Sequence, residues 1–174
     1  AMVAAAGRME AVPLTTGRMD RLRERLDRLG AHFPAVALET TAMPFWLGDP
    51  AGEPAAITRA TAGHHILLDL HNLYANARNF GRDPEELMLS LPLDRVREVH
   101  LAGGRPLRGR VLDDHRHAVP DVVFDLLQLL GARARGPLIV IIERDDCFPP
   151  IEGLIGELDR ARAALARGPS QADA

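Results

Sequence analysis

The chain has 174 residues, 47% hydrophobic and 26% charged, with a formal net charge of -3 and a pI near 6.2. This is the composition of one globular domain with a core of its own, and it carries no global attraction for nucleic acid or an anionic membrane, although basic residues cluster locally in the first helix. A single cysteine, Cys147, excludes an internal disulfide, no apolar run approaches the ~20 residues that span a bilayer, and the start "AMVAAAGRMEAV" lacks the apolar segment of a signal peptide. A cytoplasmic protein is therefore expected, with Ala1 ahead of Met2 read as a tag remnant.

In "RMDRLRERLDRLG" (18–30), Met19, Leu22, Leu26 and Leu29 recur three and four apart, the stripe of a surface helix, and Gly30 stops it. "AVALE" (35–39) reads as a short buried strand ending in a carboxylate. "GDPAGEPAAITRATAG" (48–63) reads as a turn and a short helix, and "HILLDLH" (65–71) as a second strand with polar residues at its far end. Asp83, Pro84 and Glu86 form a capping box that starts the helix "DPEELMLSL", and Pro92 ends it. "RVREVHLAG" (95–103) is a third strand and "GRPLRGRVLDDHRHAVP" a loop. "DVVFDLLQLLGARA" is a helix with a wide apolar face, and "PLIVIIE" (137–143) a fourth strand. In the last helix, Ile151, Leu154, Ile155, Leu158 and Leu165 share one face. The tail 169–174 is expected to be disordered. Apolar strands alternating with amphipathic helices predict an α/β fold with parallel pairing and helices outside.

In parallel α/β folds, functional groups gather at the strand ends, where loops open on a rigid scaffold. All four strands end in candidate metal ligands: Glu39; Asp69 with His71 and Asn72; His100; and Glu143. The loop before the large helix adds Asp113, Asp114, His115 and His117. Asp69 and His71, two apart, would share one face of an extended strand, as would Asp113, His115 and His117. Imidazole, carboxylate and amide oxygen suit iron, manganese or zinc, with room for more than one ion. Each element alone has a plainer reading: Asp69 as a helix cap, His100 as a hydrogen-bonded core histidine, "DDHRH" as a solvated loop. The coincidence of four such strand ends favours a metal site. His32, His64 and His65 lie at the opposite strand ends and are assigned to structure. The sequence holds no GxGxxG after a strand, no GxxxxGK[ST] loop and no CxxC, and Ser90 and Ser170 lack a nucleophile elbow. Cys147 reads as a small buried residue rather than a reactive thiol.

"LLDLHNLYANARNFGRDP", "VREVHLAG", "VLDDHRHAVPD" and "IIERDDCFPP" resemble, in order, the strand-end motifs of the multinuclear non-haem iron-dependent oxidative enzymes (the MNIO family, which includes the catalytic subunit of methanobactin synthesis). The resemblance implies a TIM barrel of the xylose isomerase-like type with two or three irons in its mouth. It also implies oxidation of cysteine or other side chains in a ribosomally made precursor peptide, often with a partner protein that holds the leader. Carried over by motif, the metal set is Glu39, Asp69, His71, Asn72, His100, Asp113, His115 and Glu143, with no catalytic residue beyond the ligands. His117 would stand behind the ligands, and Tyr74 and Asn76 would shape the pocket. Three positions depart from the family wording: His71 replaces the first Asn of an Asn pair, "LET" replaces LEN, and "IER" replaces IEW.

The family's first strands, with two further histidines, have no counterpart before "TTGRMDRLRERL". The chain therefore resembles the C-terminal half to two-thirds of such an enzyme, with 1–168 as a single incomplete TIM-barrel domain. The open interior and strand edges would need cover, from self-association or from a complementing barrel half on another chain. Two other readings stand beside the oxidase: a non-catalytic truncated homologue acting as a metal-binding or partner module, and a metal-dependent isomerase or hydrolase.

Overall fold

The computed structural model describes residues 2–5, 8–11, 15–43 and 52–167. An antiparallel pair, β1 (Met2–Ala5) and β2 (Arg8–Ala11), opens the chain and was not anticipated. The expected helix follows as α1 (Thr16–Gly30). Then come β3 (Ala37–Glu39), α2 (Glu53–Ala60), β4 (His65–Asp69), α3 (Leu70–Asn79) and α4 (Pro84–Leu89). A 3-10 turn (Leu93–Arg95) leads into β5 (Val96–Leu101). A hairpin of β6 (Arg105–Leu107) and β7 (Arg110–Leu112), then α5 (Asp121–Gly131), β8 (Ile139–Ile142) and α6 (Ile151–Arg167) complete the order. The expected tail 169–174 lies outside the described residues.

The strands β3, β4, β5 and β8 form one parallel sheet in sequential order. Sequential order with helical crossovers places the helices on one side, which is consistent with a TIM-barrel-like fold. Strand alternation sorts the side chains. Ile66, Leu68, Val99 and Leu101 are fully buried in the core with Leu73, Ala77, Leu87, Met88, Val123, Phe124, Leu126, Leu127 and Leu130 from α3, α4 and α5. A smaller cluster, Met19, Ala56 and Ala60 with Leu22 and Leu38, seats α1 and α2 on β3. The opposite face carries the cross-strand row Glu39, Leu67, Glu98, Ile139 and, one step further on, Asp69, His100, Ile141. Ile139 is 61% exposed there.

Three expectations need correction. The strand expected over 65–71 stops at Asp69, and α3 begins at once, because Asp69 caps it by accepting the Asn72 N–H at 2.7 Å. The loop expected over 104–120 contains the β6–β7 hairpin, whose turn residues Arg108 (φ 51°) and Gly109 (φ 79°) are both left-handed. Ile151 and Ile155 do not share the packed face of α6. They stand 62% and 48% exposed, while Glu157, Ala161 and Ala164 are buried, because α6 lies on α5 and leaves its flank beside β8 bare. No described helix is long and apolar enough to cross a membrane.

Candidate metal centre

The strand ends converge. Glu39, Asp69, His100 and Glu143 each offer a donor atom, all within 4.8 Å of one another, and His115, Glu143 and Asp145 form a second such group. Glu143 belongs to both. Parallel pairing produces this directly: Asp69 is in register with His100, and the Glu143 N–H continues the ladder by donating to the Leu101 carbonyl at 2.9 Å.

Each donor is held by a neighbour. Asp69 is fully buried. Its Oδ1 accepts from Asn72 N–H, and its own N–H donates to Thr40 Oγ1 at 3.2 Å, while Asn72 Nδ2 donates to the Thr40 carbonyl at 3.1 Å. His100 lies between two carboxylates, with Nδ1 2.8 Å from Glu143 Oε2 and Nε2 3.3 Å from Glu98 Oε1. His71, 1% exposed, pairs through Nδ1 with Asp113 Oδ1 at 2.5 Å. His115 puts Nδ1 3.4 Å from Glu143 Oε2. Its Nε2 lies 3.1 Å from Asp113 Oδ1 and 3.7 Å from Asp69 Oδ2, but the 3.1 Å approach is outside hydrogen-bonding geometry.

The expected strand-face pairings do not occur. His71 sits on α3 rather than on the strand with Asp69. β7 ends at Leu112, so Asp113, His115 and His117 lie on an irregular loop in which His115 takes φ 50°. His117 turns away, 45% exposed, to Asp114 Oδ1 at 2.9 Å. Neither donor group contains His71 or Asp113, which form a pair beside them. Tyr74 lies behind His71, ring centres 6.1 Å apart, and Asn76 holds the loop after β3. His64 lies 2.7 Å from Asp27 of α1 and belongs to neither donor group. Cys147 is exposed, not buried, at φ 53°, with the Arg116 guanidinium 3.6 Å from its sulfur.

Sequence reasoning missed Glu98 and Asp145. Glu98 stands two residues before His100 on β5, so the alternation rule could have found it, whereas Asp145 lies past the end of β8, where alternation gives no signal. The three departures from the family wording also acquire physical roles. His71 anchors Asp113, Thr40 holds Asp69, and Arg144, 6% exposed, reaches both oxygens of Glu157 on α6 at 3.1 Å.

Electrostatics sharpen the picture. Burial pushes Asp69 up to about 6; the Asn72 N–H pulls it back and the Asp113 charge adds to the rise. Burial also acts to raise Asp113, but the imidazoles of His115 and His71 outweigh it and hold this carboxyl below its ordinary value. His115 is raised to about 9, first by the Asp113 carboxylate. Asp69 Oδ2, Asn72 Oδ1 and His115 Nε2 are buried without a hydrogen-bond partner. Orphaned polar atoms cost stability unless something pairs them. Four carboxylates, Glu39, Asp69, Glu143 and Asp145, with the imidazoles of His100 and His115, form a donor set suited to iron, manganese or zinc, so the residues present fit a metal.

The chain is 44% identical over 109 residues to a UPF0276 protein of Caulobacter vibrioides, covering 63% of this chain and 39% of the relative. It is 40% identical over 114 residues to one from Bordetella bronchiseptica, covering 63% and 39%. It is also 32% identical over 171 residues to one from Streptomyces avermitilis, covering 96% and 35%. The chain thus spans little more than a third of the length of these curated relatives. The family model described as "RiPP precursor modification enzyme MbnB/TglH/ChrH" matches residues 6–166. With its strand-end donors in place and nearly all of its length matched, the chain belongs to that family, the one its motifs resemble.

Proposed function

We propose that this chain supplies one flank of an iron centre that oxidatively modifies side chains of a ribosomally made precursor peptide. The centre would be completed when further strands, from a second copy or a complementing barrel half, close the sheet into a TIM barrel of the xylose isomerase-like type. The observation that carries the reading is the convergence of donors from the four neighbouring strand ends of the sheet on one space, with Asp69 Oδ2 and His115 Nε2 left without a hydrogen bond there.

Glu39, Asp69, His100, His115, Glu143 and Asp145 would hold the metal, with Asn72 Oδ1 as a further oxygen donor. Bound iron would supply the redox chemistry with oxygen that no side chain here provides. The chain's own residues do the positioning. Thr40 and the Asn72 N–H orient the Asp69 carboxylate, Glu98 and Glu143 fix the His100 ring, and His71 holds Asp113 against the cluster. Burial of Asp69 and His71 keeps the inner end dry, where charge interactions are strong.

Metal analysis of anaerobically purified protein, with its mass in solution, tests this. Iron bound to an assembled species supports the reading; a metal-free species instead favours a non-catalytic partner module. H100A and E143A should each lower iron content severalfold with the circular dichroism unchanged. Unchanged stoichiometry in both variants counts against the assignment.

A further inference from the structure

Beside the donor cluster lies a cleft of about 670 Å³, the size of a small-ligand or short-peptide site. Its construction explains the run of asparagines on α3. Asn72, Asn76 and Asn79 recur at i, i+4 and i+7 and so share one helix face. Each grips main chain. Asn72 donates to the Thr40 carbonyl. Asn76 accepts from Met43 N–H at 2.8 Å and donates to the Thr41 carbonyl at 3.1 Å. Asn79 accepts from Val111 N–H at 2.8 Å and donates to the Val111 carbonyl at 2.9 Å. The helix is thereby the floor, the loop after β3 one wall, and the β6–β7 hairpin the other.

The cleft is electrostatically polar along its length. Asp113 and Asp145 line its inner end, at the donor cluster, whereas Arg108 and Arg110 line the hairpin side. Arg110 is engaged, its guanidinium 5.5 Å from the Phe80 ring centre. Arg108 is exposed and has no hydrogen-bonded or ion-paired partner among the described residues. It also occupies the first position of a turn with both φ angles positive, where Asn or Gly is favoured and a long side chain is strained. The chain thus holds a free cation at the hairpin tip against the backbone preference.

We propose that this cleft seats an extended peptide segment whose acidic side chain pairs with Arg108, leaving the residue to be modified at the inner, metal-binding end. The inner carboxylates would repel an acidic residue placed there, so the two ends together set the direction in which the peptide lies. This deepens, and rests on, the peptide-modifying reading above.

The test uses short fluorescent peptides with one cysteine in a Gly/Ser background and a single Glu, Gln or Lys at varied offsets from it. Binding to the anaerobically purified protein is followed by anisotropy, without turnover. At the best offset the Glu peptide should bind about fivefold tighter than the Gln peptide, with the Lys peptide weakest and the difference fading at high salt. R108A should level the three, and R108E should make the Lys peptide the tightest. Equal affinities in the unmodified protein, including no measurable binding of any peptide, overturn the proposal, as does a ranking unmoved by R108E. Mass spectrometry of the same peptides after exposure to oxygen reads the oxidative function separately. A charge ranking without modification by the assembled, iron-bound protein sinks that function and leaves the cleft, and modification without a charge ranking does the reverse.

Discussion

The central strands β4 and β5 and the flanking strands β3 and β8 share one sheet and similar apolar sequences, yet their surroundings differ sharply. Ile66, Leu68, Val99 and Leu101 are fully buried, whereas on β8 Ile139 is 61% and Ile141 39% exposed, with Phe148, Ile151 and Ile155 exposed nearby. At the other flank, Leu29 and Phe33 are bare. A strand as apolar as "IVII" belongs between neighbours, and each flank leaves a row of backbone groups without a strand partner among the described residues. The difference teaches that the centre of the sheet is covered by the chain's own helices while its edges are left uncovered by the described residues.

The largest effect that would break this comparison falls at the centre. A Cβ on Gly104 would stand 2.0 Å from the Leu112 carbonyl oxygen and 2.6 Å from His71 Cε1, with backbone on one side and a fully packed ring on the other. Gly104→Ala should therefore cost at least about 3 kcal/mol in urea unfolding. Leu68→Ala should cost about 3 kcal/mol. The matching edge change, Ile139→Ala, should cost under about 0.5 kcal/mol in the isolated chain. A large loss at Ile139 would mean that β8 is covered in solution, and its dependence on protein concentration would identify self-association.

A subtler contrast lies under β3. Burial pushes Glu53, at the start of α2, up to about 7. Its raised folded pKa means that the chain is relatively more stable below the unfolded value of 4.5, and loses up to about 3 kcal/mol as pH rises through about 7. Glu53→Gln should remove that loss, so thermal melts of the two proteins should coincide near pH 4.5 and separate by pH 8, the variant melting higher. A small effect of the opposite sign is expected at the opposite flank. Gly156, inside α6, has open space where a Cβ would stand, and Gly156→Ala should stabilise by about 0.5–1 kcal/mol.

The sheet was legible because its four strands are apolar runs bounded by turns and separated by amphipathic helices. The candidate site was legible only as a set of strand-end residue types. α3 was hidden because "ILLDL" continues an apolar run straight across the strand-to-helix junction, so periodicity gives no break at Asp69; the capping role of Asp69 and the spacing of Leu70, Leu73 and Ala77 were the available signals. The hairpin was hidden because an Arg-Gly turn lacks the usual Asn-Gly signature. The two expected strand-face pairings failed for one reason: alternation holds only inside strands, and both His71 and His115 lie just past a strand end.

Asn76 and Asn79 hydrogen-bond peptide units of the loop after β3 and of the hairpin, and none of these four bonds goes to a side chain. Those bonds consequently do not depend on which side chains occupy 41, 42 and 111, whereas Met43, 3% exposed, is held by packing as well. Substitutions at 41, 42 and 111 that keep the main-chain N–H would change the lining of the groove without removing the hydrogen bonds that set its walls.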